Sequence, residues 1–184
     1  MFGFLRRKAE PHGPFEFEHS VEIAKPAAEV YALVDWADAR NAKRALGNKV
    51  EQVGSSPDRF RLHLDLVPDH RFEMIVTEAV PGRSYAFANE ITPPVGRLVS
   101  SNETYSVEPL GESSCRLALV VSASFDGRLS MDDLAMEAMM MGMSGQNALA
   151  KLKIQAEQGV DAVHAIEAQQ MDGFDLDDFE DFED

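Results

Sequence analysis

The sequence is poor in four things, and each shortage excludes something. There is one cysteine, Cys115, so no disulfide forms within the chain, which is compatible with a reducing compartment. No apolar run approaches the roughly 18 residues of a membrane-spanning helix. Cations are scarce beside anions, 17 Lys and Arg against 32 Asp and Glu. The resulting net charge of −15 excludes nucleic acid and an anionic membrane surface as expected partners, because like charges repel. Catalytic motifs are also missing. There is no phosphate-cradling glycine loop, and His12, His19, His63, His70 and His164 lack the close pairing of a zinc site. Gly142-Met143-Ser144-Gly145 is a near miss to a nucleophile elbow, but it lacks the last glycine spacing and lies in a helical stretch. No metal and no cofactor is expected.

What is present suits one domain with tails. The chain has 184 residues, 45% of them hydrophobic, enough for a sizeable core. Residues 1–14 read as a flexible arm, with Pro11, Gly13 and Pro14 breaking any element. Phe2, Phe4 and Leu5 beside Arg6, Arg7 and Lys8 are too few for stable membrane insertion. These residues also have the wrong order for a signal peptide, since the charges follow a short apolar stretch, so the expectation is a cytoplasmic protein.

Phe15–Ala24 alternates with period two, Phe15, Phe17, Val21 and Ile23 on one face and Glu16, Glu18, Ser20 and Glu22 on the other. Pro26 suits the first turn of a helix over Ala27–Trp36. Asp38 is expected to cap a second helix over Ala39–Leu46, with Gly47 past its end. From Lys49 the chain returns to short alternating strands, the last of them carrying Cys115, Leu117, Leu119, Val121, Ala123 and Phe125 on one face. Loops this short force antiparallel neighbours. The count is about seven strands in the order β-α-α-β6-α.

The long helical signal is Ser130–Gln158, with six methionines between Met131 and Met143. Ser130 caps its start. Leu134, Ala138, Met141, Gly145, Ala148, Leu149, Leu152 and Ala156 form a stripe that should face the sheet. Met136, Met139, Met140 and Met143 lie away from that stripe, and a helix apolar all round needs a second cover. The expectation is a homodimer or protein-partner contact through those four methionines. Gly142 and Gly145 suggest a close approach at this helix.

Two helices after the first strand and one long helix at the end form a known arrangement. The passage Val21–Tyr31, the run Thr104–Gly111 into the Cys115–Phe125 strand, and the final Leu149–Gly159 make the chain resemble the START-like, or Bet v 1-like (SRPBCC), superfamily. Within it the likeness is to the polyketide cyclase/dehydrase-type branch, over residues 15–159. The resemblance implies an α+β helix-grip fold, in which a long C-terminal helix closes a curved antiparallel sheet over a cavity. One departure is that Asp38–Gly47 lacks the tryptophan-containing segment often found after the first helix.

Such a cavity points to a hydrophobic small molecule as partner, a lipid, a quinone or a polyketide-like aromatic. Glu103, with Ser101 and Tyr105 on the inner face of its strand and Val99 beside them, is a carboxyl among apolar groups, where desolvation raises its pKa. Asn89 and His19 fall in similar positions. The candidate ligand-binding set is Met74, Phe87, Asn89, Ser101, Glu103, Tyr105, Leu119, Leu134, Ala138 and Met141. Three functions fit: a carrier, a cyclase or dehydratase using Glu103 or Tyr105 as acid/base, and an interaction module. The third rests on the C-terminal 160–184, a helical extension ending in an acidic tail. Residues 172–184 hold eight acidic groups, about half of the net charge, interleaved with Phe174, Leu176, Phe179 and Phe182. Phe174, Phe179 and Phe182 are candidate partner contacts. Arg40, Lys43 and Arg44 read as a solvated basic helix face.

Overall fold

The computed structural model describes residues 9–65, 67–94 and 96–172. Seven strands form one antiparallel sheet: β1 (His12–Ile23), β2 (Lys49–Gln52), β3 (Arg59–His63), β4 (Arg71–Val80), β5 (Ser84–Thr92), β6 (Leu98–Pro109) and β7 (Cys115–Phe125). Their spatial order is β1-β7-β6-β5-β4-β3-β2. Each strand from β2 to β7 pairs with the next in sequence, as short loops require. Two helices, α1 (Ala27–Val34) and α2 (Ala42–Ala45), fill the connection from β1 to β2. The chain ends in α3 (Met131–Gln158) and α4 (Val160–Asp172).

The pleat of β7, one strand in from the β1 edge, gives it one fully buried face. Cys115, Leu117, Leu119, Val121, Ala123 and Phe125 are all buried, while the alternate residues are partly exposed. Burying each large side chain is worth about 1.5–3 kcal/mol, so this one face anchors the sheet to its helix. The helix α3 runs beside β1 and in the same direction. Gly142 lies opposite Phe17 and Gly145 opposite His19. Further on, the Lys153 ammonium donates to the Glu22 carbonyl at 2.6 Å, and Glu157 accepts from the Ala24 amide at 2.7 Å. A Cβ at position 145 would stand 2.9 Å from the His19 ring, so glycine there sets how closely α3 approaches β1. At 142 a Cβ would make an ordinary 3.6 Å contact with Phe17, so the close approach belongs to Gly145 alone.

Several boundaries differ from those the sequence suggested. The first strand begins at His12, inside the arm: Gly13 takes a φ of +108°, and the register shifts between His12 and Phe15. Pro14 falls at that irregularity, where no ladder N–H is needed. The helix α1 stops at Val34, and α2 is one turn capped by Asn41, whose side chain accepts from the Lys43 amide at 3.1 Å. Asp38 does not cap α2, because its carboxylate is occupied by the Arg40 amide and guanidinium. Val99 is exposed and Leu98 packs inward instead, because the β6–β7 register shifts between Leu98 and Ser100. A one-residue shift moves a side chain to the other face of a sheet.

At the start of α3, Ser130 accepts from the Asp133 amide at 3.2 Å and donates to its carboxylate at 2.8 Å, a reciprocal cap. Gly159, at φ +92°, ends the helix and turns the chain into α4. There Val163 is buried and the Lys151–Glu167 pair, 2.6 Å, ties α4 to α3. No helix among the described residues is long and apolar enough to cross a membrane.

Candidate functional site

The concave face of the sheet, α1, α2 and the middle of α3 enclose a cavity of about 440 Å³. That is within the range of small-molecule sites, about 300–1,000 Å³. Most of its wall is apolar, with Leu62, Phe72, Met74, Phe87, Leu119 and Val121 from the sheet and Met141, Ala148 and Leu152 from α3. Trp36 supplies the wall next to α1. Its ring stands edge-on to Phe87, centroids 5.5 Å apart, and its backbone amide donates to the buried Tyr85 hydroxyl at 3.1 Å.

The polar groups of the sheet wall are gathered at one place. Glu103 sits on β6 between Phe87 of β5 and Val121 of β7, an apolar residue on either side. Both of its oxygens have partners. Tyr105, two residues on and on the same face, donates its hydroxyl to Oε2 at 2.9 Å. Asn89, diagonal to it on β5, donates Nδ2 to Oε1 at 3.1 Å and also reaches Ser101 Oγ at 3.2 Å. Tyr105 in turn stacks on Phe87 at 6.2 Å. Burial pushes the Glu103 carboxyl above the usual glutamate range; the Tyr105 and Asn89 hydrogen bonds and the more distant Lys43 ammonium pull it back only in part. Tyr105 is raised well above an ordinary phenol, first by burial and then by the neighbouring carboxylate. The cluster is a carboxyl held by neutral donors, able to accept a hydrogen bond from a guest or, when protonated, to donate one.

A second group of polar residues borders the same cavity. Lys43 of α2, Lys151 and Gln155 of α3 and Glu167 of α4 all border the cavity. Lys43 is accessible to solvent yet crowded by protein. Desolvation lowers its ammonium pKa, with repulsion from Lys151 adding to it and attraction to Glu103 and Glu167 opposing it. Glu167 is held low by its hydrogen bond from Lys151.

Met74, Phe87, Asn89, Ser101, Glu103, Tyr105, Leu119 and Met141 therefore line one cavity. Leu134 and Ala138 do not. Leu134 belongs to a separate core with Ala123, Phe125 and Leu129 beyond the cavity's end, because α3 overshoots it by more than a turn. His19 also lies off the cavity wall, packed against Gly145 with its Nε2 buried and unpartnered among the described residues. Arg44 is not a solvated group: it donates to the Val50 carbonyl at 2.7 Å and the Trp36 carbonyl at 3.1 Å. Met136, Met139, Met140 and Met143 are each more than half exposed. Phe174, Phe179 and Phe182 lie outside the described residues.

Sequence reasoning missed Trp36, Lys43, Gln155 and Glu167. The lone tryptophan at the end of an apolar stripe was a usable signal for the first. Nothing local marks the others, whose place depends on α2 and α4 folding against α3.

A curved antiparallel sheet gripped by a long C-terminal helix over an apolar cavity defines the helix-grip fold. The family described as polyketide cyclase / dehydrase and lipid transport matches residues 14–157, and the chain belongs to it. No curated protein sequence is significantly similar. Among solved structures, the di-domain aromatase/cyclase BexL from the BE-7585A biosynthetic pathway superposes with a TM-score of 0.62 at 22% identity, covering 76% of this chain. The match spans only 45% of that di-domain chain. The Zhui aromatase/cyclase from a Streptomyces species gives a TM-score of 0.53 at 19% identity, covering 85% of this chain and 95% of its own. A conserved protein from Geobacillus kaustophilus gives 0.52 at 18%, covering 85% and 97%. These likenesses establish the shared α+β fold.

Proposed function

We propose that this protein binds and carries a small, mostly apolar molecule, ring-containing or lipid-like, with one hydrogen-bonding group seated against Glu103. The observation that carries the reading is the Glu103–Tyr105–Asn89–Ser101 cluster, set into an otherwise apolar sheet wall. An apolar pocket with a few convergent polar groups is the pattern of a site that orients its guest. Phe72, Phe87 and Trp36 offer flat surfaces to a ring, and Met74 and Met141 adapt to an irregular outline. The family description, which joins cyclases with lipid transport, supports the same ligand class.

Native mass spectrometry of gently purified protein is expected to show one bound apolar molecule. Displacement of a fluorescent naphthalene probe by fatty acids, naphthoquinones and aromatic polyketides then ranks the classes. Leu119→Trp fills the cavity and should abolish probe binding while the protein stays folded; unchanged probe binding in that variant refutes the site.

A second reading, acid/base catalysis of a cyclase or dehydratase step, is favoured by the raised Glu103 pKa beside Tyr105. It predicts that Glu103→Gln removes turnover of a candidate substrate while largely keeping its affinity. Turnover that survives the change assigns Glu103 to binding alone.

A further inference from the structure

The exposed methionines of α3 need an occupant, and the order of groups along the helix points to one. Met136, Met139, Met140 and Met143 are spaced three, four and seven residues apart, so they form one outward face. Just before them on the same side stand Asp132 and Asp133, in the first turn; Asp133 also accepts from the Ser130 hydroxyl at 2.8 Å and lies 3.5 Å from the Arg97 guanidinium. Between Met131 and Lys151 the helix carries no cation. The surface is therefore an apolar strip with an acidic head. It suits a segment with cations at one end and large apolar side chains beyond them.

The chain holds such a segment, in that order, tethered at that end. Ala9 and Glu10 lie on Gly127, three residues before the Ser130 cap of α3. The approach is so close that a Cβ at Gly127 would collide with the Glu10 carbonyl. Reading outward from Ala9, residues 1–8 present Lys8, Arg7 and Arg6, then Leu5, Phe4 and Phe2. From Met131 to Met143 the helix rises about 18 Å. Eight residues of extended chain reach about 27 Å, enough to cover it. The cations come first, where the aspartates are, and the apolar groups follow, where the methionines are. The acidic tail has the wrong charge for this head, and the same face of a second copy carries no cation between Met131 and Lys151 to set against Asp132.

We propose that residues 1–8 dock along the outer face of α3, Arg6–Lys8 against Asp132 and Asp133 and Phe2, Phe4 and Leu5 on Met136, Met139, Met140 and Met143. The tether keeps the segment at a high effective concentration over its site, so modest contacts suffice. This inference is independent of the ligand assigned to the cavity, since the methionine face points away from it.

The test uses the full chain with isotope-labelled methionine methyl groups and a nitroxide on Gly3→Cys, in a Cys115→Ala background. Docking predicts strong paramagnetic broadening of the Met136, Met139, Met140 and Met143 methyl signals. It also predicts chemical-shift changes at the same four on deleting residues 2–8. Reversing the charges of Arg6, Arg7 and Lys8 to Glu should cut the broadening by more than half. Absence of both broadening and shifts overturns the proposal. Broadening that arises only when nitroxide and isotope are on different molecules assigns the face to a second copy and overturns it too. Shifts on deleting Gly173–Asp184, with none on deleting residues 2–8, assign the face to the acidic tail, again overturning it.

Discussion

Glu73 and Glu103 stand on opposite faces of one sheet, and their surroundings drive their carboxyls in opposite directions. On the outer face, Glu73 is buried yet lies within ion-pair distance of three guanidinium groups, Arg61 at 2.7 Å, Arg59 at 3.1 Å and Arg71 at 3.5 Å. The Arg61 hydrogen bond, with the charge of all three arginines, holds it below the usual glutamate range against the pull of desolvation. On the inner face, Glu103 has two neutral donors and only a distant ammonium, and desolvation prevails. Burial of a carboxyl therefore says little by itself. A carboxyl saturated with arginine is part of the framework, whereas one held by a phenol and an amide keeps hydrogen-bonding and proton-transfer capacity for a guest.

The largest test of this contrast is Glu73→Gln. Removing the charge leaves three arginines facing one another, and stability should fall by about 1–2 kcal/mol in urea denaturation, discounted because those arginines are partly exposed. Probe affinity in the cavity should not change. A destabilisation by Glu103→Gln that exceeds it would break the comparison, since Glu103→Gln is expected to cost less than about 1 kcal/mol.

The two carboxyls should also respond to pH with opposite sign. The contribution of Glu73 is present above the ordinary glutamate pKa, about 4.3, and is lost as pH falls through its lower folded value. For Glu103 the unfolded chain releases its proton first. Stability relative to the Glu103→Gln variant should therefore fall as pH rises from about 4.3 through the raised folded value. Urea midpoints of the three proteins across that range check both signs; parallel curves would show that the two environments do not differ.

The smallest effect concerns Lys43. Lys43→Met removes an attraction that favours the charged form, so the Glu103 carboxyl resonance should titrate at slightly higher pH. A downward move would mean that Lys43 acts on Glu103 in another way.

The strands were legible because their period-two patterns are long and clean, as in Cys115–Phe125, where every expected inward residue is buried. Glu103, Tyr105 and Asn89 were legible as polar groups on apolar strand faces. The errors share a cause. Val99 and the start of β1 were misplaced by register shifts, and Asp38 lost its cap to Arg40, which lies outside any periodic pattern. Leu134 and Ala138 follow the same helical stripe as Met141, but a stripe does not say where along α3 the cavity ends.

By itself the sequence determined the element order, the inward face of most strands and the apolar character of the space between sheet and helix. Those follow from residue type and spacing, which act over a few residues. Only the tertiary structure decided which inner residues share the cavity, since α2, α3 and α4 bring Lys43, Gln155 and Glu167 to one rim from distant parts of the chain. It also decided that Glu73 is tethered by arginines and Glu103 is not. A pKa depends on the charges and the protein that surround a group in space, and neither is encoded in its immediate neighbours along the chain.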